Sequence, residues 1–404
     1  MRLLVVYRGM PWPISEGYHL RILHIFRRLA QRHEIHLLAL NHEDEQRAKL
    51  ASVESQGIFQ SITMRDVPAR NMLGRLRTNL GIDPVGAFHA EYPGFRQTLC
   101  QEVRAMKAKL QLDAAYVFDP WADLWFCDAA LEIPTLLDVC DCRTMFYERR
   151  LERGDLGFRE RLRTKQLLHR FRRYETFTLE RYPISTVVSP LDRDCLQRLK
   201  PNCRVEIIPN GVDLEMFQPV EGVDEVPGNL ILFGNMDFLP NYDAAIHFAK
   251  DILPIVRKTH PQASFTVVGT NPAPEVQALA EIPGVEVTGR VEDLKPWIQR
   301  AAMLVAPMRF GAGIKNKVLE AMAVEKPVVT NSTGVEAMHA EVSQLLRLAD
   351  DPQDFAKAVC ELLDDDAQRN QLGEHGREVM ARLHSWDKAA GDYEQLFEEL
   401  AASV

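Results

Sequence analysis

The sequence predicts an α/β protein of two doubly wound domains that face a central cleft. Short apolar runs alternate with helix-forming segments in both halves of the chain, a pattern typical of parallel strands joined by right-handed crossovers. Residues 209–229 contain three prolines and three glycines and therefore predict a linker between the two series. A length of 404 residues fits two domains better than one.

The first half opens with a predicted βαβ unit. Its strands are the apolar runs at residues 3–7 and 35–40, and the helix between them covers residues 18–31. Prolines and glycines fill the loop before that helix, namely Gly9, Pro11, Pro13 and Gly17. Further strands are predicted at residues 114–118, 135–138 and 185–189. Since ligands of doubly wound sheets lie outside the carboxyl ends of the strands, the loops that follow these strands are candidate binding loops.

The second half repeats the alternation of strands and helices. Strands are predicted at residues 230–233, 264–268, 285–288, 303–307, 328–330 and 345–348. Helices are predicted at residues 242–255, 275–279, 294–300 and 314–323. The last stretch, residues 385–402, has a helical pattern but no obvious place in the second sheet.

Residues 303–331 form the most informative segment, with a strand, a glycine loop, a helix and a strand in succession. Gly311 and Gly313 allow a tight turn and a close approach of the backbone to a ligand. The helix after them points its free N–H groups and positive dipole end at the loop, which suits a diphosphate. The loop matches neither the Walker A nor the GxGxxG pattern. Because strand–glycine–helix units are common in α/β proteins, a loop that binds nothing is the alternative interpretation.

Charged side chains accompany this loop. Lys315 and Lys317 add positive charge at the start of the helix, and Glu320 lies one to two turns further along. A carboxylate at that place is suited to accept hydrogen bonds from sugar hydroxyls.

The composition is that of an ordinary globular protein, with 46% hydrophobic and 26% charged residues. The seven cysteines are scattered, and the pair Cys140 and Cys142 has no second pair to complete a zinc site. Structural cysteines in a reducing cytoplasm are therefore expected. The N-terminal apolar run is too short for a signal peptide, and no apolar window reaches the roughly 18 residues of a membrane span.

The net charge of −9 hides a basic segment. Residues 143–173 carry ten arginines and one lysine against four acidic residues, a local charge of +7. A nucleic-acid-binding protein would be basic over a whole domain, so no nucleic-acid partner is expected. Apolar side chains between the arginines favour an anionic membrane surface as the partner. A solvated helix pair with internal ion pairs is the alternative, and the sequence leaves both open.

Four segments of the second half resemble the retaining glycosyltransferases of family 4, which have the GT-B fold of two Rossmann-like domains. These segments are IIPNGVDLEMF (207–217), GNMDFLPNYDAAIHFAKDILPIVRKTHPQASFTVVG (234–269), VTGRVEDL (287–294) and GIKNKVLEAMAVEKPVV (313–329). The first half is similar to the family more loosely, in LLDVCDCRTMFYERR (136–150) and RRYETF (172–177). The resemblance is greatest to a branch found in bacterial exopolysaccharide gene systems.

This resemblance implies transfer of a hexose of the mannose or glucose type, with retention of configuration and without a metal or cofactor. The expected donor is a GDP- or UDP-sugar, and the expected acceptor is a saccharide in exopolysaccharide or cell-surface polysaccharide synthesis. The basic and apolar segment 143–173 favours a polyprenyl-linked saccharide as that acceptor. The enzyme is expected in the cytoplasm, at the inner face of the membrane. The final helix is expected to cross back, so the predicted domains are an acceptor domain of residues 1–213 with 384–404, and a donor domain of residues 214–383.

The resemblance also assigns donor-binding residues. Glu320 corresponds to the second glutamate of the family's paired motif, which holds the donor ribose. The backbone at Arg290 and Val291 corresponds to the nucleobase site, and the amides of Gly313 and Ile314 to the diphosphate and sugar site. Two further positions complete the assignment, namely Asn235 in the loop after the first strand of the second domain and Gly17, where the donor phosphates approach the first domain.

The chain departs from the family's pattern at three positions. Ala312 stands where the family has its first glutamate, eight residues before Glu320. The usual arginine and lysine that clamp the diphosphate are absent from GNMDFLPNYD. Lys315 is the leading substitute and the catalytic candidate that stabilises the departing diphosphate, with Lys317 and Arg309 as the alternatives.

The third departure concerns the first domain, where the family's common histidine is missing. Asp119 is the remaining polar residue near that place and is a candidate for catalysis or acceptor binding, with a loop-capping role as the alternative. His19 and Arg21 are further candidates for contact with the acceptor.

Three other functions compete with the transferase. A GT-B sugar-nucleotide epimerase would share the fold and the nucleotide site. A non-catalytic nucleotide-binding partner or scaffold of a polysaccharide assembly system is favoured by Ala312 and the missing histidine. A dinucleotide oxidoreductase is disfavoured, because neither domain opens with GxGxxG followed by an acidic residue about 20 positions later.

Overall fold

The computed structural model describes residues 1–12, 17–41, 48–80, 83–126, 128–129, 132–152, 154, 156–311 and 313–402. The chain divides into two compact units, unit 1 (Met1–Pro209 with Ala389–Val404) and unit 2 (Asn210–Lys388). The chain passes from unit 1 to unit 2 after Pro209 and returns to unit 1 after Lys388. These two points lie four and five residues from the boundaries expected after residues 213 and 383.

Unit 1 contains a parallel sheet of seven strands in the order β3-β2-β1-β4-β5-β6-β7. The strands are β1 (Arg2–Arg8), β2 (Glu34–Asn41), β3 (Ser61–Asp66), β4 (Ala114–Phe118), β5 (Thr135–Cys140), β6 (Ile184–Val187) and β7 (Val205–Ile207). The central strands are buried on both faces, which is why their sequences are continuous apolar runs rather than alternating ones. Strands β2 and β3 lie on one side of β1 and the later strands on the other side, so the strand order reverses between β1 and β4.

Helices cover the sheet of unit 1. They are α1 (Gly17–Leu29), α2 (Leu50–Glu54), α3 (Met72–Leu80), α4 (Pro84–Glu91), α5 (Phe95–Leu110), α6 (Pro120–Phe126), α7 (Arg143–Glu152), α8 (Phe158–Leu179) and α9 (Pro190–Leu199). The basic segment 143–173 therefore spans α7 and most of α8.

Unit 2 contains a parallel sheet of six strands in the order β10-β9-β8-β11-β12-β13. The strands are β8 (Asn229–Phe233), β9 (Ser264–Val268), β10 (Val285–Gly289), β11 (Met303–Ala306), β12 (Val328–Thr330) and β13 (Arg347–Leu348). Numbered within its own unit, this order repeats that of the first six strands of unit 1. The reversal here falls between β8 and β11.

The helices of unit 2 and the last helix follow the predicted alternation, with shifted ends. They are α10 (Leu239–His247), α11 (Leu253–Thr259), α12 (Pro274–Gln277), α13 (Lys295–Arg300), α14 (Asn316–Ala323), α15 (Ser332–Val335), α16 (Ala340–Gln344), α17 (Pro352–Leu363), α18 (Asp366–Leu383) and α19 (Trp386–Ala402). A π-helical turn, Phe248–Ile252, joins α10 to α11. Pro254 lacks an N–H for the regular ladder, which accounts for the wider turn just before it.

The last helix, α19, returns to unit 1 and packs against α1. Tyr393 and Phe397 on it are fully buried. The Tyr393 hydroxyl donates to Asp138 Oδ2 at 2.7 Å and accepts from Arg21 Nη2 at 2.7 Å, and Arg21 Nε donates to the same carboxylate oxygen at 2.7 Å. The expectation that the final helix crosses back to the first domain is confirmed. Among the described residues, no helix has the length and apolar character that spanning a membrane requires.

Candidate functional site

The candidate site lies in unit 2, at the carboxyl ends of β8 and β11. Because the strand order reverses between these two strands, their following helices leave toward opposite faces and open a crevice between the loops. The chain leaves β8 at Gly234, and β11 leads into the loop of Gly311 and Gly313 that precedes α14. The predicted glycine loop is thus at the place where doubly wound sheets bind ligands.

Backbone geometry explains the glycines around this crevice. Gly234 and Gly311 have φ of 145° and 144°, a region that residues with a side chain rarely adopt. A Cβ on Gly234 would lie 2.8 Å from the side-chain nitrogen of Asn241 on α10. The glycines therefore let side chains from the neighbouring elements close over the loop.

Two buried lysines occupy this space. Lys315 and Lys317 are each 8% exposed. Lys315 Nζ donates to the carbonyl oxygen of Gly313 at 2.9 Å, and Lys317 Nζ donates to Asn241 Oδ1 at 2.5 Å. Asn241 in turn donates through Nδ2 to the carbonyl oxygen of Asn235 at 2.9 Å. Asn241 was not predicted as a site residue, because nothing in its local sequence marks it as more than an early helix residue.

The charges of the site are held largely out of water. Burial, together with the like charge of Lys315, lowers the pKa of Lys317 to about 7, whereas Glu320 opposes the shift. Burial also raises the pKa of Glu320 to about 7, against the effect of Lys317. Within the described part of the chain, the half-buried Glu320 carboxylate has no hydrogen-bond partner. Two lysine side chains and one carboxylate without a partner among the described residues suit an anionic ligand that also carries hydroxyl groups.

The start of α14 adds to the positive character of the crevice. The helix begins at Asn316, two residues later than predicted, because Ile314 and Lys315 belong to the loop. None of the described side chains caps its first turn. Free backbone N–H groups and the positive end of the helix dipole therefore accompany the two lysines.

The remaining predicted donor-binding residues differ in how available their side chains are to a ligand. Arg309 donates two hydrogen bonds to Asp243, at 2.8 and 2.5 Å, so its guanidinium is already engaged in an ion pair. Asn235 Oδ1 accepts from the amide of Asp237 at 3.2 Å and serves a turn. Arg290, which is exposed, and the half-buried Val291 follow β10. Ala312, the position of the missing glutamate, lies outside the described residues.

Asp119 lies at the carboxyl end of β4 in unit 1. Its φ of 74° is unusual for a residue with a side chain. Asp119 Oδ1 accepts from the amide of Trp121 at 3.1 Å, which is the capping contact considered as the alternative to catalysis. Burial alone would lower the pKa of the nearby Arg143, but the charges of Asp119 and Asp141 outweigh that effect, so the pKa is raised and the guanidinium stays charged. Arg143 was not singled out among the many arginines of its segment.

The other candidates of unit 1 lie on α1. Gly17 is the first residue of this helix. His19 is 9% exposed, and burial together with Lys49 lowers its pKa to about 4, so its imidazole is neutral at pH 7. Arg21 is fully buried in its ion pair with Asp138. That position favours a structural role for Arg21 over the predicted contact with an acceptor.

Comparison with solved structures defines the class of fold. The structure matches sucrose-phosphate synthase from Thermosynechococcus elongatus with a TM-score of 0.69 and 17% identity, over 100% of both chains. It also matches Anabaena HepE, solved in complex with UDP and glucose, with a TM-score of 0.63 and 14% identity, over 99% of this chain and 100% of that one. Together with the two Rossmann-like sheets, these likenesses confirm the predicted GT-B fold.

Family comparison places the chain within that class. Residues 17–216 match the model described as Glycosyltransferase Family 4, and residues 227–365 match the model described as Glycosyl transferases group 1. The chain belongs to glycosyltransferase family 4, the family that its sequence resembles. A D-inositol 3-phosphate glycosyltransferase of Corynebacterium jeikeium (strain K411) is 28% identical over 223 residues. This match covers 49% of the chain, which spans about half (52%) of that relative's length.

Proposed function

We propose that the protein transfers a hexose of the mannose or glucose type from a GDP- or UDP-sugar to a saccharide or lipid-linked acceptor, with retention of configuration. Membership of glycosyltransferase family 4 supports a nucleotide-sugar donor. The observation that carries the proposal is the pair of buried lysines, Lys315 and Lys317, beside the uncapped start of α14. Positive groups that are fixed before the reaction stabilise the charge that develops on a departing diphosphate.

Glu320 supplies the second half of the proposed donor site. Its carboxylate has no hydrogen-bond partner among the described residues, and Lys317 lies close enough to affect its pKa. Ionised, this carboxylate would accept hydrogen bonds from two sugar hydroxyls, as the ribose of a nucleotide offers. The phosphates would then lie at the glycine loop and the ribose one helical turn away.

A thermal-melt panel with UDP, GDP, ADP, CDP and dTDP tests the donor site. A nucleotide at 100 times its dissociation constant should stabilise the protein by about 2.7 kcal/mol. We expect one nucleotide to raise the midpoint of the wild type and to raise that of Glu320→Ala much less. No shift with any nucleotide would contradict the donor site. Transfer of labelled sugar by the purified protein then distinguishes a transferase from a non-catalytic partner.

The acceptor is proposed to be a polyprenyl-diphosphate-linked saccharide in exopolysaccharide synthesis, reached at an anionic membrane surface. The first turns of α8 support this, because Phe158 and Leu162 are 85% and 52% exposed. Four exposed basic residues lie among them and have no ion-pair partner within the described chain, namely Arg159, Arg161, Arg163 and Lys165. Other arginines of the segment are paired internally, as Arg150 is with Glu160 and Arg172 with Glu148.

Vesicle flotation tests the proposed membrane surface. Wild-type protein should float with vesicles that contain anionic lipid and not with neutral ones, because charge and apolar insertion act together. The double variant Phe158→Ser, Leu162→Ser should float less. Met216→Ser is the matched control, since Met216 is a 51% exposed apolar residue of unit 2. Flotation that is independent of anionic lipid would count against the proposal.

A further inference from the structure

Lys317 is a buried ammonium group whose only hydrogen-bond partner among the described residues is a neutral amide. An ammonium has three N–H donors, and Asn241 Oδ1 accepts one of them at 2.5 Å. The contrast with Lys326, also in unit 2, is informative. Lys326 is 6% exposed but forms an ion pair with Glu225 at 3.0 Å. Lys317 has no such partner in the part of the chain that the structure describes, and buried charges without one are costly.

The charged neighbours of Lys317 do not compensate for its burial. Lys315, two residues earlier in the loop, carries the same sign. Glu320, on the next turn of α14, is the one opposite charge among the described residues that acts on Lys317. No ion pair joins Lys317 to Glu320 within the described residues. The amine is therefore balanced between its charged and neutral forms, with a pKa of about 7.

Asn241 is suited to hold the amine in both forms. Its Oδ1 accepts an N–H from a neutral amine as well as from an ammonium, whereas a carboxylate would strongly favour the ammonium. Its Nδ2 is anchored to the carbonyl oxygen of Asn235 at 2.9 Å. Gly234 leaves room for this arrangement, because a Cβ there would lie 2.8 Å from that nitrogen. Asn241 thus fixes the position of Lys317 without fixing its charge.

We propose that Lys317 takes up one proton from solution when the diphosphate of the donor binds, and that Asn241 is the positioning residue that keeps the amine in place to receive it. This inference rests on the proposed donor site. The negative charge of a diphosphate next to the two unused donors favours the ammonium form. With proton uptake, the site gains its second positive charge only when the ligand is bound. The empty site therefore avoids the free-energy cost of two buried positive charges.

The direction of the pH dependence follows from this coupling. Below pH 7 the free site already carries the proton, so binding takes up little. Above pH 7 the free amine is mostly neutral and binding must include protonation. The affinity for a nucleoside diphosphate should therefore fall by about tenfold per pH unit above this point.

Titration calorimetry at pH 8, in two buffers with different heats of ionisation, measures the proton uptake directly. The probe is the nucleoside diphosphate that gives the largest shift in the melt panel, since its terminal phosphate, with a pKa of about 6, is already ionised at this pH. We expect uptake of about one proton per nucleotide bound by the wild type. Lys317→Arg, which stays charged, should bind with almost no uptake and with an affinity that is flat from pH 7.5 to 9. Lys326→Arg is the matched control and should behave as the wild type.

Asn241→Asp tests the positioning role. The new carboxylate should hold Lys317 charged in the empty site, so uptake should disappear and affinity should fall at pH 8. Unchanged uptake in Asn241→Asp would overturn the role of Asn241. Equal binding heats in both buffers for the wild type would overturn the proton coupling while leaving the donor site intact. Absence of any binding heat would instead contradict the proposed function itself.

Discussion

Glu320 is the residue on which recognition of the donor's sugar is expected to depend. Its carboxylate is half-buried and unpaired among the described residues, so it is available to two hydroxyls. A charge-assisted hydrogen bond contributes about 1.5–3 kcal/mol. Glu320→Gln should therefore raise the dissociation constant of the nucleotide by about ten- to a hundredfold, measured by calorimetry at pH 8. Glu374→Gln, an exposed change on α18, should leave it unchanged, and equal affinity in both variants would exclude the ribose contact.

Asp123 on α6 makes a second residue-scale prediction, about stability. It is fully buried, Tyr182 donates a hydrogen bond to one carboxylate oxygen, and the other oxygen has no partner in the described chain. Burial raises its pKa to about 7, although Tyr182 opposes the shift. The folded state thus binds more protons than the unfolded state between about pH 4 and pH 7, so this group destabilises the fold as pH rises through that range.

Asp123→Asn removes this titration. The urea midpoint of the variant, relative to that of the wild type, should rise between pH 5 and pH 8. Asp194→Asn, at an exposed position of α9, is the control and should show a constant difference. A constant difference for Asp123→Asn as well would show that the carboxyl group does not titrate in this range.

At the scale of elements, the ion pair of Arg21 and Asp138 holds α1, β5 and α19 together. Both side chains are completely buried, and Tyr393 bonds to each of them. Truncating one partner leaves an uncompensated buried charge, so Arg21→Ala should lower the free energy of unfolding by about 3–5 kcal/mol. Arg27→Ala, on the exposed face of α1, should change it by less than about 0.5 kcal/mol. A small effect of Arg21→Ala would mean that α19 is held by its apolar contacts alone.

The elements differ in how far the sequence predicted them. The sequence predicts the glycine loop and α14, because a short apolar run and two glycines precede a helix-forming segment. Strands β3 and β7 were not predicted, since β3 is half-exposed and β7 has three residues. Asn241 was missed because its role comes from Lys317, which lies 76 positions away in the sequence. Contacts of that separation arise from the crossover topology and leave no local pattern.

At the scale of the whole molecule, the alternation of strands and helices predicted the two doubly wound sheets and the fold class. The order of the strands within each sheet could not be predicted from the sequence. A crossover connection can place the next parallel strand on either side of the previous one, and the sequence pattern does not distinguish the two. The return of α19 followed from family resemblance and from a helix that the second sheet could not use. Whether Asp119 and His19 contact an acceptor stays a prediction, since each already has a contact or burial that explains its position.

The interrupted path of the chain through unit 1 has a consequence for biosynthesis. Unit 2 is continuous from Asn210 to Lys388, whereas unit 1 needs residues from Ala389 onward as well as Met1–Pro209. A ribosome makes the chain from its amino end, so the first 209 residues emerge before Tyr393 exists to meet Arg21 and Asp138. Unit 2 can therefore complete its core first, although its sequence is translated second. Nascent unit 1 stays incompletely folded until α19 has been synthesised, and this is the stage at which we expect chaperones to bind the chain.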